Sequence, residues 1–204
     1  MIEQHASGMI DITGDRDLWS RCFMVHSLVV IGSKEEDGNY NMAPKHMAMP
    51  LGFSSHFGFL GTPRKTTYHN IRREEAFTVS YPRPEQLVIS SLTASPREED
   101  DSKPVIEAVP TEEARHIEGR FLKGAYIQLE CRLSQIVGKF GEWEMIVGDV
   151  VAAYVHKDAL RTNGEDMDGD RVIRKAPLLA YLHPNRFSIV KDSYVFPFPK
   201  DFRR

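Results

Sequence analysis

Cysteine is scarce in this chain. Cys22 and Cys131 are the only two in 204 residues, and they lack the local spacing of a zinc site or a redox pair. A disulfide-built scaffold is excluded, and a reduced, cytoplasmic setting is expected. Both cysteines sit in apolar, strand-like surroundings and are expected in the core. Charge of one sign is also lacking: 26 basic against 29 acidic residues leave a formal net charge of −3, which provides no basic footprint for nucleic acid. Long apolar runs are missing as well. The run Ser27–Ile31 is far short of a membrane span, and Met1–Gly14 carries Glu3, His5 and Asp11 where a signal peptide needs an apolar core. No membrane anchor, no export signal and no nucleic-acid partner are therefore expected.

What is present is an ordinary globular composition, 41% hydrophobic and 27% charged, in a chain long enough to bury a proper core. The expectation is a single domain over 1–204, with an N-terminal extension over 1–20 and a C-terminal arm over 191–204. The run CFMVHSLVVIGS, Cys22 to Ser33, is rich in β-branched residues and predicts one buried strand, with His26 as a core or interface residue rather than a metal ligand. KEEDGN follows as a hairpin turn, Gly38 supplying the positive φ. The next strand, Tyr40 to Met49, is interrupted by Pro44, which cannot donate to a ladder and so marks an edge, a bulge or a ligand-facing break. His56–Leu60 and Phe77–Tyr81 predict two further strands. Glu85–Thr93 has helical spacing, and the charged run Pro96–Pro104 reads as a solvated loop. TEEARH, Thr111 to His116, opens like a capping box and predicts a short helix.

Strict alternation over Ile127–Ser134 predicts a strand, and Glu144–Tyr154 a second, joined by a turn in VGKFGEW. Gly148 interrupts the second and suggests a bulge, a barrel corner or a close ligand. Arg161–Asp170 lacks the alternating oxygen ligands and terminal Glu of a calcium loop, so no metal is expected. Many strands, few short helices and no βαβ alternation predict a mainly β fold, a closed antiparallel barrel without free edges.

Candidate chemistry centres on GTPRKTTYHNI, Gly61 to Ile71. Thr62 can cap a helix that opens at Pro63, and Arg64 and Lys65 then fall in its first turn. Cations there oppose the helix dipole by roughly 0.3–1 kcal/mol each, whereas with Thr66 and Thr67 they suit a bound phosphate. A solvated basic helix face accounts for the same residues equally well. Gly58 and Gly61 leave room for a flat ligand, or for a tight bend.

VVIGSKEEDGNYNMAP, GTPRKTTYHNI, IQLECRL, MIVGDVVAAYV and PLLAYLHPNRF together resemble the flavin reductase-like proteins, over roughly Phe23 to Val190. The resemblance implies a Greek-key-like, FMN-binding split barrel that is homodimeric, with the aromatic arm Tyr194, Phe196 and Phe198 covering a neighbour. NAD(P)H would be the electron donor, and a small molecule, a partner oxygenase or an electron-acceptor protein would take the electrons. By position it implies a cofactor site from Asn41, Ala43, Pro44, Lys45, His46 and Met47, joined by Gly61, Thr62, Arg64, Lys65, Thr66, Thr67 and Asn70. His46 stands where the family commonly has a small hydroxyl residue. It is the candidate catalytic group, able to hydrogen-bond the flavin, to receive a proton or simply to fill space. An FMN-binding electron carrier and a cofactor-less interaction module are the alternative readings.

Overall fold

The computed structural model describes residues 8–15, 17–161 and 169–200; most of the stretch compared with a calcium loop, and the last residues of the C-terminal arm, lie outside these. Strands dominate: β1 (Met24–Ser27), β2 (Val29–Lys34), β3 (Tyr40–Lys45), β4 (Ala48–Pro50), β5 (His56–Gly61), β6 (Ala76–Tyr81), β7 (Thr111–Glu113), β8 (Arg120–Leu122), β9 (Ile127–Phe140), β10 (Trp143–Val155), β11 (Leu178–His183) and β12 (Arg186–Val190). Among the described residues, three helices, α1 (Thr66–Glu74), α2 (Leu87–Leu92) and α3 (Gly169–Lys175), are accompanied by three short 3-10 segments.

Seven strands form one antiparallel sheet in the order β3-β2-β6-β9-β10-β5-β4. Its two edges, β3 and β4, are joined in the chain by only His46 and Met47, so the sheet must curl until the edges nearly meet. The result is a split barrel: covalently linked at the seam, with free ladder edges where the sequence predicts closure. Pro44, which cannot donate, sits on one of those edges opposite Val30. The barrel is filled from β2, β5, β6, β9 and β10, with Val29, Ile31, Phe57, Phe59, Phe77, Val79, Cys131 and Ile146 all buried together. Burying each such side chain is worth about 1.5–3 kcal/mol. Gly148 lies at a register shift against β9, and a Cβ there would come within 2.6 Å of the Phe77 ring. Of the three readings for this glycine, the bulge is the one found, and what lies close is the core.

The predicted single strand over Cys22–Ser33 is two strands in two sheets. β1 pairs with β11, which pairs with β12, whereas β2 enters the barrel; the switch falls at Leu28. Cys22, just before β1, is exposed rather than in the core, while Cys131 is buried. Burial, with Asp149 and Glu130 nearby, pushes the Cys131 thiol up to about 12. The predicted helix at Thr111 is instead strand β7, paired with β8. The β9–β10 hairpin runs longer than predicted, turning only at Gly141.

A second layer covers the outer face of β2 and β3. Val30 and Met42 pack there with Val109 and Leu122, flanked by Ile89 of α2 and Ile106. The charged loop over 96–104 is docked to this layer rather than merely solvated. Arg97 pairs with Glu35 in the β2–β3 turn, and the Lys103 ammonium donates to Asn41 Oδ1 (3.2 Å), the Met42 carbonyl (2.9 Å) and the Thr93 carbonyl (2.7 Å).

Candidate functional site

Three segments far apart in sequence converge at the barrel seam. The Leu60 N–H donates to the Met47 carbonyl at 3.0 Å, which places the end of β5 against the β3–β4 link. Asn41 Nδ2 donates to Thr67 Oγ1 at 3.0 Å, which fixes the start of α1 against β3. These two bonds bring Met47 to Leu60 and Asn41 to Thr67, so the β3–β4 link, the end of β5 and the start of α1 adjoin one another.

The helix begins one turn later than predicted. The Lys65 N–H bonds the Thr62 carbonyl at 3.0 Å and the Arg64 N–H reaches Thr62 Oγ1 at 3.4 Å, so Thr62–Lys65 close a turn with Pro63 at its second position. Proline's fixed φ suits that position as well as the first position of a helix, which is why the two could not be told apart from sequence. Lys65 becomes the N-cap, no side chain caps α1, and no acidic residue lies in its first turn. Arg64 falls outside the helix and is paired with Glu142 across the β9–β10 turn, with 70% of its side chain exposed. Lys65 is exposed and forms no ion pair among the described residues. An uncapped positive helix end beside an unpaired ammonium is the chemistry of an anion site.

The two asparagines brace this site. Asn41 is 3% exposed and Asn70 2%; Asn70 donates to Ser33 Oγ at 3.2 Å and accepts from Arg73 at 3.2 Å. Their amides are spent on protein partners, so they position α1 rather than offer groups to a ligand. Gly61 is glycine for packing: a Cβ would stand 2.8 Å from Ile146 Cδ1. A Gly58 Cβ would likewise stand 2.8 Å from Leu51.

Within the β3–β4 link, His46 stands in a ring cluster. Its centroid is 4.5 Å from Tyr181, 5.4 Å from His26 and 5.7 Å from His183. Its Nε2 is buried with no hydrogen-bond partner among the described residues, as is Nδ1 of His183. Burial first, then His26, His183 and Lys45, push the His46 pKa down to about 4. Lys45 is also pushed down, by burial and by Lys65. Among the described residues no cluster of His, Cys, Asp or Glu could hold a metal ion.

The unfolded chain binds a proton on residue 46 near pH 6.5, the folded chain only near 4. Between those values acid therefore favours unfolding, and stability is lost as pH falls through that window. Allowing for partial exposure, this is worth about 1–2 kcal/mol. His46→Gln should show a smaller fall in Tm between pH 7 and pH 5 than the parent protein. Equal falls would show that the acid sensitivity does not come from His46.

Lys103 is the site-adjacent residue that sequence reasoning missed. Its ammonium fixes Asn41 and the β3 edge, and burial, with Arg97 nearby, brings its pKa down to about 8. A single lysine next to a proline at the end of a mostly acidic loop was the available signal.

No curated protein matches this chain. Solved structures match at low identity and show the fold. They include a 2-nitrobenzoate 2-nitroreductase from Pseudomonas fluorescens, 18% identical over 98% of both chains with a TM-score of 0.75. A second is an FMN-binding protein from Thermus thermophilus with bound p-hydroxybenzaldehyde, 19% identical over 85% of this chain and 91% of that one, TM-score 0.68. A third, from Shewanella frigidimarina, is described as a candidate flavin reductase with a split barrel domain; it is 17% identical over 98% of this chain and 100% of its own, TM-score 0.76. The profile of the flavin reductase like domain matches residues 20–185, a span that holds the whole barrel, the α1 start and the His46 cluster, and the chain belongs to that family.

Proposed function

We propose that the protein is an FMN-dependent oxidoreductase of the flavin reductase type, taking electrons from NAD(P)H and passing them to an acceptor, and that it works as a homodimer. The observation that carries this reading is the start of α1: an uncapped helix N-terminus with no acid in its first turn and Lys65 unpaired beside it. That arrangement fits a phosphate group. Lys65, Thr66 and Thr67, with Arg64 released from Glu142, would hold the phosphate, while the backbone of 43–47 and 60–62 would border the ring system. Bound flavin supplies the hydride and electron chemistry. The protein's own part is to orient it and to keep the surroundings of the reacting ring fixed. His46, neutral at physiological pH, offers one donor and one acceptor without adding charge.

The test is direct. Purified protein should be yellow, heat should release a compound that co-elutes with FMN, and NADH or NADPH should bleach the colour under anaerobic conditions. Bound FMN that neither nucleotide bleaches would assign the protein as an electron carrier. A chain that binds no FMN would be a barrel serving as an interaction module. Light scattering at micromolar concentration should give twice the chain mass.

A further inference from the structure

Beside the seam, a cavity of about 650 Å³ opens between the end of β3, helix α2 and the β11–β12 hairpin. Its walls are mostly apolar, with Leu87 and Leu92 on one side and Phe187 on the other, and Tyr181 and His46 also line it. None of its thirteen lining residues is acidic, whereas two, Lys45 and Arg186, are cationic. Lys45 is partly buried, and its ammonium has no hydrogen bond or ion pair among the described residues. Arg186 lies over the Phe23 ring, 5.9 Å from its centroid, and has no carboxylate partner among the described residues. Tyr181 is already engaged: its hydroxyl accepts the Asn185 N–H at 3.0 Å.

Cations without anions beside apolar walls set the chemistry of the occupant. An unpaired, partly desolvated ammonium is costly unless an anion neutralises it, and a planar guanidinium matches a carboxylate in fork geometry. The rings of His46 and Phe187 and the side chains of Leu87 and Leu92 suit a flat or compact apolar body. We propose that this cavity is a binding subsite for an aromatic monocarboxylate, its carboxylate held by Lys45 and Arg186 and its ring between His46 and the apolar wall. Pro44, Lys45 and His46 are the wall this cavity shares with the segment assigned to the flavin ring. A ligand here is therefore placed as a second substrate; that role rests on the flavin reading, but the binding does not.

The full chain as purified is titrated with 2-naphthoate and with its neutral analogue 2-naphthamide, following ligand fluorescence. The acid is expected to bind at least roughly tenfold more tightly than the amide. Arg186→Gln, at an exposed position, should remove most of that preference and leave naphthamide binding unchanged, and Lys45→Met should do the same. Equal affinity for acid and amide, or a preference untouched by Arg186→Gln, would overturn the proposal. So would displacement of naphthoate by FMN or by NADH, which would show the cavity to be part of the cofactor or donor site. A protein that binds no FMN yet keeps the preference for naphthoate defeats the flavin reading and leaves this one standing.

Discussion

Replacing Arg64 and Lys65 together by Ala is expected to weaken FMN binding by about 100-fold and to leave riboflavin binding unchanged. Charge-assisted contacts contribute about 1.5–3 kcal/mol each when partly shielded from water, and only FMN carries the phosphate that would make them. The two residues should not contribute equally. Arg64 must leave Glu142, an exposed pair worth about 0–1 kcal/mol, whereas Lys65 has no ionic partner among the described residues to give up. Lys65→Ala alone should therefore account for most of the loss, and Glu142→Gln should strengthen FMN binding modestly by freeing Arg64. The apo double variant should stay within about 1 kcal/mol of the parent protein, since the lost surface pair is offset by relief of repulsion between Lys65 and Lys45. Fluorescence titration of both flavins into both apo proteins measures all of this. An unchanged ratio of FMN to riboflavin affinity would move the phosphate site elsewhere.

Much of the architecture was legible because it is local. Alternation over 127–134 announced β9, Asp37-Gly38 announced the β2–β3 hairpin, and Pro44 offered an edge as one of its three readings. Most of the misreadings concern groups whose state is decided by residues distant in sequence, with Pro63 the local exception. TEEARH has the local pattern of a helix start, but Thr111–Glu113 pair with Arg120–Leu122, and the ladder overrides the cap. Pro63 serves a turn as well as a helix, and the Thr62 carbonyl bond to Lys65 decides between them. Within the candidate site, the cationic stretch was visible. The bracing roles of Asn41 and Asn70 were not, because their partners Thr67 and Ser33 lie on other elements. Lys103 was hidden for the same reason: a charged loop residue reads as solvated until the carbonyls it serves, 10 and 61 positions away, are known.

Glu130 is the sharpest instance, and its replacement should be strongly destabilising. In the alternation of β9 it falls with Gln128 and Arg132 on what reads as a solvent face, yet it is 0% exposed. The segment 115–117 folds over it. Its carboxylate accepts the backbone N–H groups of Arg115 (2.9 Å), His116 (2.6 Å) and Ile117 (3.0 Å) and the Tyr154 hydroxyl (2.9 Å), while the Arg115 guanidinium lies 4.9 Å from the centre of the Tyr154 ring. Burial alone would push this carboxyl up, but the four donors outweigh it and hold the pKa below the usual 4.5. Glu130→Ala leaves four donors without an acceptor, each worth about 1–3 kcal/mol if it stays buried; some will reach water as the segment loosens, so a total of about 3–5 kcal/mol is expected. For a chain of this length that lowers Tm by roughly 10 °C. Glu130→Gln should cost about half as much, since the amide keeps an acceptor oxygen but turns an NH2 group toward the other donors. The parent protein gains this stability above the ordinary carboxyl pKa of 4.5 and loses it as pH falls through the lower folded value. Below pH 4.5 the Glu130→Ala melting curve should therefore draw closer to that of the parent. A Tm shift under 2 °C at pH 7, or a gap that widens in acid, would show that the segment 115–117 is held by something other than this carboxylate.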